Sequence, residues 1–440
     1  MSSCEFRRDL ARAKIKGMLD PDLLLNRTDA VASALETKGT ARESVIAARD
    51  ALLERRSVRQ KLDELRTELN RHSKVVGEAM KAHNAKAETL RGQLAELKSS
   101  IRDAEQRARD ADDAYTRLAL VLPNLPDPAA PVGLDESDNV ILRHEGTPRA
   151  EEVPPHWEIA EAQGWWEPEK AARMSGSGFA ILRGDGARLL RALPQYALNL
   201  HRDKYTEFVV PHMMLRDTMV GTGHLPKFAD DAYATTDDRW LIPTGEVPLT
   251  AMHRGEILDA SSLPFHYTTY TVCFRREAGA AGKDTRGMQR LHEFHKVEFM
   301  IYCRADQVAT EFAGLLHDAE TSLRGLGLPY RVVDLATGDL TFSSARIHDL
   351  EVHSPGVGRW LEASSVGNFS DFQARRSNIR MRDAARKTVP VHTLNGSALA
   401  TPRVWAALLE NGYQADGTVR VPEALVQYLG TDTLGVPRAH

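Results

Sequence analysis

Between Cys273 and Phe299 the chain carries residue types suited to holding a polyanion. Arg275, Arg276 and Glu277 follow an apolar run, Gly279, Gly282, Lys283, Arg286 and Gly287 make a glycine-punctuated basic loop, and Leu291 to Phe299 returns as an alternating segment. An arginine forks two N–H groups onto a phosphate or carboxylate, which a lysine meets only as a point charge. Glu277 can accept from an exocyclic amine or hold an arginine in place. The glycines let the loop backbone approach a ligand, and Phe294 offers an aromatic face to a base. The competing reading is an exposed hairpin with a solvated charged turn. The placement of Arg-Arg-Glu inside an apolar strand, rather than at its tip, favours binding.

Three other clusters could complete such a site. Trp240 to Val247 reads as a strand that ends in the polar triad Thr244-Gly245-Glu246. Asp349 to Val352 and Trp360 to Ser365 alternate and pair as antiparallel strands, the second carrying Glu362-Ala363-Ser364-Ser365. Ser397 precedes Thr401-Pro402-Arg403, where Thr401 is a good N-cap and Pro402 suits the first helical position. His292-Glu293-x-His295 lacks the spacing of a helical zinc motif, and on a strand its histidines point to opposite faces. Cys4, Cys273 and Cys303 have no paired or zinc spacing, which fits a reducing compartment.

The elements that position these clusters are legible in the rest of the chain. Its 440 residues are 42% apolar and 27% charged with a net charge of -4, which describes a globular protein of two or three domains; any contact with nucleic acid must come from a local patch. With no run of about 18 apolar residues and no apolar signal core at the N-terminus, the expectation is a cytoplasmic protein without membrane contact. Short helices are expected over 20–25 and 29–38, the latter closed by Gly39. From 40 to 120, Val58, Leu62, Leu65 and Leu69, then Leu90, Leu94, Leu97, Ile101, Ala104, Ala108, Ala111, Tyr115 and Leu118, repeat at four-three spacing. Broken near His83-Asn84, this predicts an antiparallel coiled-coil hairpin reaching roughly 50 Å. Such an arm serves equally as a spacer, a dimerisation coil or a grip on something large. The prolines from Pro123 to Pro131 end it. Beyond them, helices are expected over 156–164, 168–174, 187–203 and 307–323, and strands over 179–183 and 206–210.

The run from Arg275 to Glu298 resembles motif 2 of the class II aminoacyl-tRNA synthetases, and in detail that of the bacterial-type seryl-tRNA synthetases; the likeness extends over nearly the whole chain. It implies an α+β fold in which an antiparallel sheet flanked by helices is preceded by an N-terminal antiparallel helical coiled-coil hairpin. The corresponding division is an extension over 1–17, a tRNA-binding domain over 18–122, a linker over 123–150 and a class II catalytic domain over 151–440. The implied reaction activates L-serine with ATP and transfers it to tRNA(Ser), in a homodimer. By this resemblance Thr244, Gly245, Glu246, Arg275, Glu298 and Ser397 bind serine. Arg275, Arg276, Glu277, Leu291, Phe294, Glu362, Ala363, Ser364, Ser365 and Arg403 bind ATP, and Glu362 and Ser365 hold Mg²⁺. Arg275, Glu277 and Arg403 are the residues expected to act in catalysis. Arg49, Arg55, Arg56, Arg59, Arg66, Arg71, Lys74 and Lys81 on the arm are candidates for phosphate contacts, interleaved with acids as on any solvated coil.

The chain departs from the family pattern at a few points. Gly245 stands where alanine is usual, Val366-Gly367 replaces a polar pair, and Ala398 and Pro402 replace glycines. These changes keep two variants open, a divergent second copy with a specialised role and a tRNA-binding paralogue without activity.

Overall fold

The computed structural model describes residues 18–81, 87–278 and 286–436. Gly279, Gly282 and Lys283, the expected turn at His83-Asn84, Cys4 and the extension over 1–17 lie outside them. The chain packs as two units that divide between Pro123 and Asn124.

In the first unit, the Asp20 carboxylate accepts from the Asp22 amide at 2.8 Å and caps α1 (Pro21–Asn26). Helix α2 (Thr28–Glu36) ends ahead of Gly39, whose φ of +74° suits the reversal into α3 (Arg42–Lys81). With α4 (Ala87–Leu120), α3 forms the hairpin that the heptads predict. Leu62, Ile101, Ala104 and Ala108 make the buried seam, with Val58, Leu65, Leu69 and Leu97 packed on it. Forty residues in α3 give a helix about 60 Å long at 1.5 Å per residue. Several of the candidate cations on the arm are held by its own acids. Arg55 and Arg59 share Asp112 and Arg66 pairs with Glu105 at 3.0 Å, while Arg56 reaches outside the arm to Asp22 of α1 at 3.0 Å. Lys74 and Lys81 have no acidic partner among the described residues.

The second unit opens with strand β1 (Val140–Glu145), helices α5 (His156–Ala162), α6 (Pro168–Ser175) and α7 (Gly184–His201), and β2 (Thr206–Glu207). The chain continues through β3 (Met213–Leu215), α8 (Arg216–Gly221), β4 (Arg239–Leu241), α9 (Glu246–Ala251) and β5 (Ile257–Asp259). The long hairpin β6 (Phe265–Phe274) and β7 (Glu293–Cys303) leads to α10 (Val308–Gly325), then β8 (Tyr330–Asp334), β9 (Arg346–Ser354) and β10 (Arg359–Asn368). After α11 (Phe372–Ser377) and the short β11 (Arg380–Arg382) and β12 (Thr388–Pro390), β13 (His392–Ala400) runs into α12 (Thr401–Gly412).

Eight strands form one sheet in the order β1-β8-β9-β10-β13-β7-β6-β2, antiparallel except for the last pair. Strand β7 lies inside the sheet, so Val297 and Phe299 to Cys303 are buried, and Lys296 and Glu298 go into the interior with them. Helices α7, α10 and α12 cover the sheet, with Leu193, Leu315 and Trp405 in the main core. Apolar burial on both faces makes this sheet the rigid floor on which polar side chains can be held.

Several expectations need correction. The ladder ends at Phe274, so Arg275, Arg276 and Glu277 lie beyond the strand rather than inside it; Glu277, at φ +50°, has a backbone no ladder accepts. The run ending in Thr244-Gly245-Glu246 is a strand only to Leu241, and the triad forms the turn into α9. Residues 179–183 make only an isolated bridge between Leu182 and Trp166, because Gly178 and Gly184 on either side have positive φ. The strand expected over 206–210 is reduced to β2. Thr401 does not cap α12: it is the first helical residue, and its hydroxyl donates across to the His295 carbonyl at 2.8 Å.

Candidate active site

A cleft of about 1050 Å³ opens over β7, β10 and β13. At its inner end Glu298, 2% exposed, forms an ion pair with Lys296, and the Thr244 hydroxyl donates to Glu298 Oε2 at 2.6 Å. Both partners engage Oε2, so Oε1 is left to the cleft. Lys296 and Glu298 are two apart on β7 and share a face, while the register sets Ser397 of β13 directly opposite Glu298. Glu246, at the start of α9, accepts from Gln373 Nε2 at 2.5 Å. Burial, and then the neighbouring Glu298 carboxylate, push its pKa up to about 7. His224 lines the same region; its Nδ1 meets the Thr222 hydroxyl at 3.0 Å, and burial beside Arg275 and Lys296 brings its pKa down to about 3, so it is neutral in the working range.

Arginines and the residues that orient them line the outer part. Arg275 Nε donates to the Pro243 carbonyl at 3.2 Å, and its guanidinium lies 5.0 Å from the centre of the Phe294 ring. Arg290 holds Glu277 at 3.0 Å, which orients one carboxylate oxygen and leaves the other. Arg403 at the head of α12 donates to the Glu362 carbonyl at 2.8 Å, to its carboxylate at 3.0 Å and to the Gln289 carbonyl at 3.3 Å. Desolvation opposes the charge on Glu362, but Arg403, Arg275 and Lys296 outweigh it and hold the carboxyl below its usual range. Asp349 on β9, the register partner of Ser365 on β10, is raised well above that range by desolvation and then by Glu362. Its buried Oδ1 has no hydrogen-bond partner. The oxygens of Glu362, Ser365 and Asp349 make a donor set suited to a hard divalent cation. Among the described residues, no three His, Cys, Asp or Glu side chains gather to hold a metal ion by themselves.

Of the residues singled out in the sequence, Thr244, Glu246, Arg275, Glu277, Leu291, Phe294, Glu298, Glu362, Ser365, Ser397 and Arg403 all line this cleft. Arg276, Ala363, Ser364 and Gly245 do not. Arg276 faces solvent. Ala363 is fully buried, and the Ser364 hydroxyl donates to the Ser397 carbonyl at 2.5 Å beside an irregularity in β10. At Gly245, between Thr244 and Glu246, an added Cβ would lie 2.9 Å from Thr269 Cγ2 and 3.1 Å from Glu298 Cβ. Likewise, a Cβ at Gly367 would lie 2.7 Å from the Phe369 ring. Each glycine thus faces a larger neighbour that occupies its side-chain space. Gly245→Ala is expected to displace Glu298 and raise the KM for the amino acid about tenfold with the KM for nucleotide unchanged, as measured by pyrophosphate exchange.

Sequence reasoning missed Lys296, His224, Asp349 and Gln373. Lys296 was within reach, since the alternation that turns Glu298 inward turns Lys296 with it. The others meet the site only through long-range folding and leave no local signal.

Known proteins resemble this chain over nearly its whole length. Residues 18–126 match the model of the seryl-tRNA synthetase N-terminal domain, and 229–412 that of the class II tRNA synthetase core domain (G, H, P, S and T). A serine–tRNA ligase of Gemmatimonas aurantiaca is 46% identical over 428 residues, 95% of this chain and 100% of that protein. The crystal structure of seryl-tRNA synthetase from Pyrococcus horikoshii complexed with ATP superposes with a TM-score of 0.89 at 34% identity, covering 96% of this chain and 100% of that one. That of the cytoplasmic serine–tRNA ligase from Naegleria fowleri with AMP gives 0.84 at 26% identity, covering 96% and 99%.

Proposed function

Because this chain belongs to the seryl-tRNA synthetase family, we propose a division of labour among its residues for the reaction of that family. The chain is an ATP-dependent serine–tRNA ligase: it activates L-serine to seryl-adenylate and transfers the seryl group to tRNA(Ser). The observation that carries the residue assignment is the buried Glu298, with one oxygen fixed by Thr244 and Lys296 and the other open to the cleft.

No side chain need act as a nucleophile, because the serine carboxylate itself attacks the α-phosphate of ATP and pyrophosphate leaves. Catalysis is then positioning and charge stabilisation. Glu246 and Thr244 receive the ammonium group of serine, Glu298 accepts from its hydroxyl beside Ser397, and Arg275 bridges its carboxylate and the α-phosphate. Glu277 accepts from the adenine amine, and Leu291, Phe294 and Arg403 enclose the ring. Glu362 and Ser365, with Asp349 nearby, would hold Mg²⁺, which when bound supplies positive charge to the phosphates. We assign residues 18–122 to tRNA binding, 123–150 to the linker and 151–440 to catalysis.

The arm gives tRNA a long surface, and Lys74 and Lys81 are cations that no acid of the arm neutralises among the described residues. A homodimer is supported by the apolar side chains exposed around β2 and β3: Val209, Met213 and Leu215 are 98%, 56% and 52% exposed. No helix among the described residues is long and apolar enough to cross a membrane, and we place the enzyme in the cytoplasm.

ATP–pyrophosphate exchange with serine, threonine, alanine and glycine tests the assignment. Exchange with serine alone is the expected result; activity with none of the four would move the substrate assignment elsewhere, with Gly245, Val366 and Gly367 as the first suspects.

Glu246 adds a dependence on pH. Its folded carboxyl keeps a proton up to about 7, against an ordinary value of 4.5, so its contribution to stability is fully present below 4.5 and is lost as pH rises to about 7. Ionisation is what an ammonium ligand requires. Serine should therefore displace a proton from Glu246 on binding near neutral pH, and its KM should fall as pH rises through about 7. Glu246→Gln should abolish both effects, as read by calorimetry in buffers of different ionisation enthalpy.

A further inference from the structure

The cleft wall from Met288 to Leu291 is tied to helix α12 by a buried pair for which the reaction has no direct use. His156, at the start of α5, is fully buried, and its Nδ1 lies 2.8 Å from Glu410 Oε1. The same carboxylate oxygen accepts the His156 backbone amide at 2.9 Å. Glu410 Oε2 accepts the Gly356 amide at 3.0 Å and the Ser354 hydroxyl. On the far side of the ring, His156 Nε2 is 3.0 Å from the backbone nitrogen of Met288.

That last contact fixes the tautomer. A backbone N–H can only donate, so Nε2 must present its lone pair and the ring proton must sit on Nδ1, facing Glu410. Glu410 thus selects the tautomer that makes His156 an acceptor for Met288. The approach is close enough to require glycine next door: Gly287 has φ +69°, and a Cβ there would lie 2.1 Å from His156 Nε2. The residues just after Met288 form functional surface. The Gln289 carbonyl receives Arg403, its side chain receives Arg359 at 3.0 Å, and Arg290 orients Glu277. Arg403 and Glu410 lie on the same helix, two turns apart. One buried imidazole therefore sets the returning leg of the arginine-bearing hairpin against the helix that carries the opposing arginine.

We propose that His156, oriented by Glu410, is a positioning residue for the nucleotide-binding wall, an inference that rests on the ATP reading of the cleft. It touches no substrate. It fixes the height and angle at which Gln289, Arg290 and Leu291 meet the nucleotide.

Two substitutions separate positioning from simple packing. Gln places an acceptor near the Nε2 position and keeps the Met288 contact, whereas Asn reaches only the Nδ1 position, which preserves a donor for Glu410 and drops Met288. With full-length protein and ATP as the probe, His156→Asn should weaken ATP binding about five- to tenfold and leave the serine KM unchanged, while His156→Gln should stay within about twofold of wild type. Equal ATP affinity in folded His156→Asn and wild type would overturn the proposal, as would equal weakening in both variants. Ring-¹⁵N spectra of the wild type give a readout that does not depend on either variant being stable. The His156 signal should be that of a neutral ring protonated at Nδ1, and a ring protonated at Nε2 near neutral pH would overturn it. Wild-type protein without ATP affinity would instead sink the nucleotide reading, and the proposal with it, whatever tautomer is found.

Discussion

Glu298→Ala should lower kcat/KM for serine in pyrophosphate exchange by about 10³-fold or more, while the KM for ATP changes little. A site built to hydrogen-bond a hydroxyl discriminates by about 10⁴ against analogues that lack it, and that discrimination resides in the acceptor. The substitution has a second, separable cost. Lys296 is 8% exposed and loses the carboxylate that neutralises it, so the protein should be destabilised by about 3–5 kcal/mol. Adding Lys296→Met removes the stranded charge and should recover most of that stability without restoring serine activation. Thermal melts and exchange assays on the two single variants and the double variant complete a cycle. Undiminished serine exchange in Glu298→Ala would refute the assignment of this carboxylate to the substrate hydroxyl.

Deletion of residues 45–115, with the stumps of α3 and α4 joined by a short turn, should leave serine-dependent exchange within about twofold of wild type and reduce tRNA charging by at least about 10²-fold. The seam of the arm is made by its own two helices, Leu62 packing with Ile101, Ala104 and Ala108, while the cleft residues all belong to the other unit. Aminoacylation and exchange, measured on one preparation, distinguish loss of tRNA grip from loss of the active site. Normal charging by the shortened protein would show that the arm serves another purpose.

The parts of the molecule that sequence made legible are those in which period and burial coincide. The heptads of the arm place Leu62 against Ile101, and the alternation around Glu298 turns it inward on a strand that the sheet buries on both sides. Legibility fails where one residue's backbone decides. Glu277 at φ +50° stands where the strand through Arg275 and Arg276 was expected to run on, and Thr244 to Glu246 turn into α9 instead of extending the strand that stops at Leu241. Register is the third limit: the irregularity between Glu362 and Ser364 decides that Ser365, and not Ser364, reaches the cleft. His156 had no local signal at all, since its partners lie 132 and 254 positions away.

The packing around Gly245 also constrains the order in which this pocket can change over generations. Alanine at 245 meets Thr269 Cγ2, while the Thr269 hydroxyl is needed to donate to the Phe208 carbonyl at 2.7 Å. Serine at 269 keeps that bond and removes the nearest obstructing atom, so that only Glu298 Cβ at 3.1 Å and Thr271 Oγ1 at 3.2 Å must yield. A lineage can therefore pass from glycine to alanine through Thr269→Ser first, whereas the reverse order crosses a sterically penalised intermediate. The two positions evolve as a ratchet with a preferred direction: 269 can change first, and 245 waits on it.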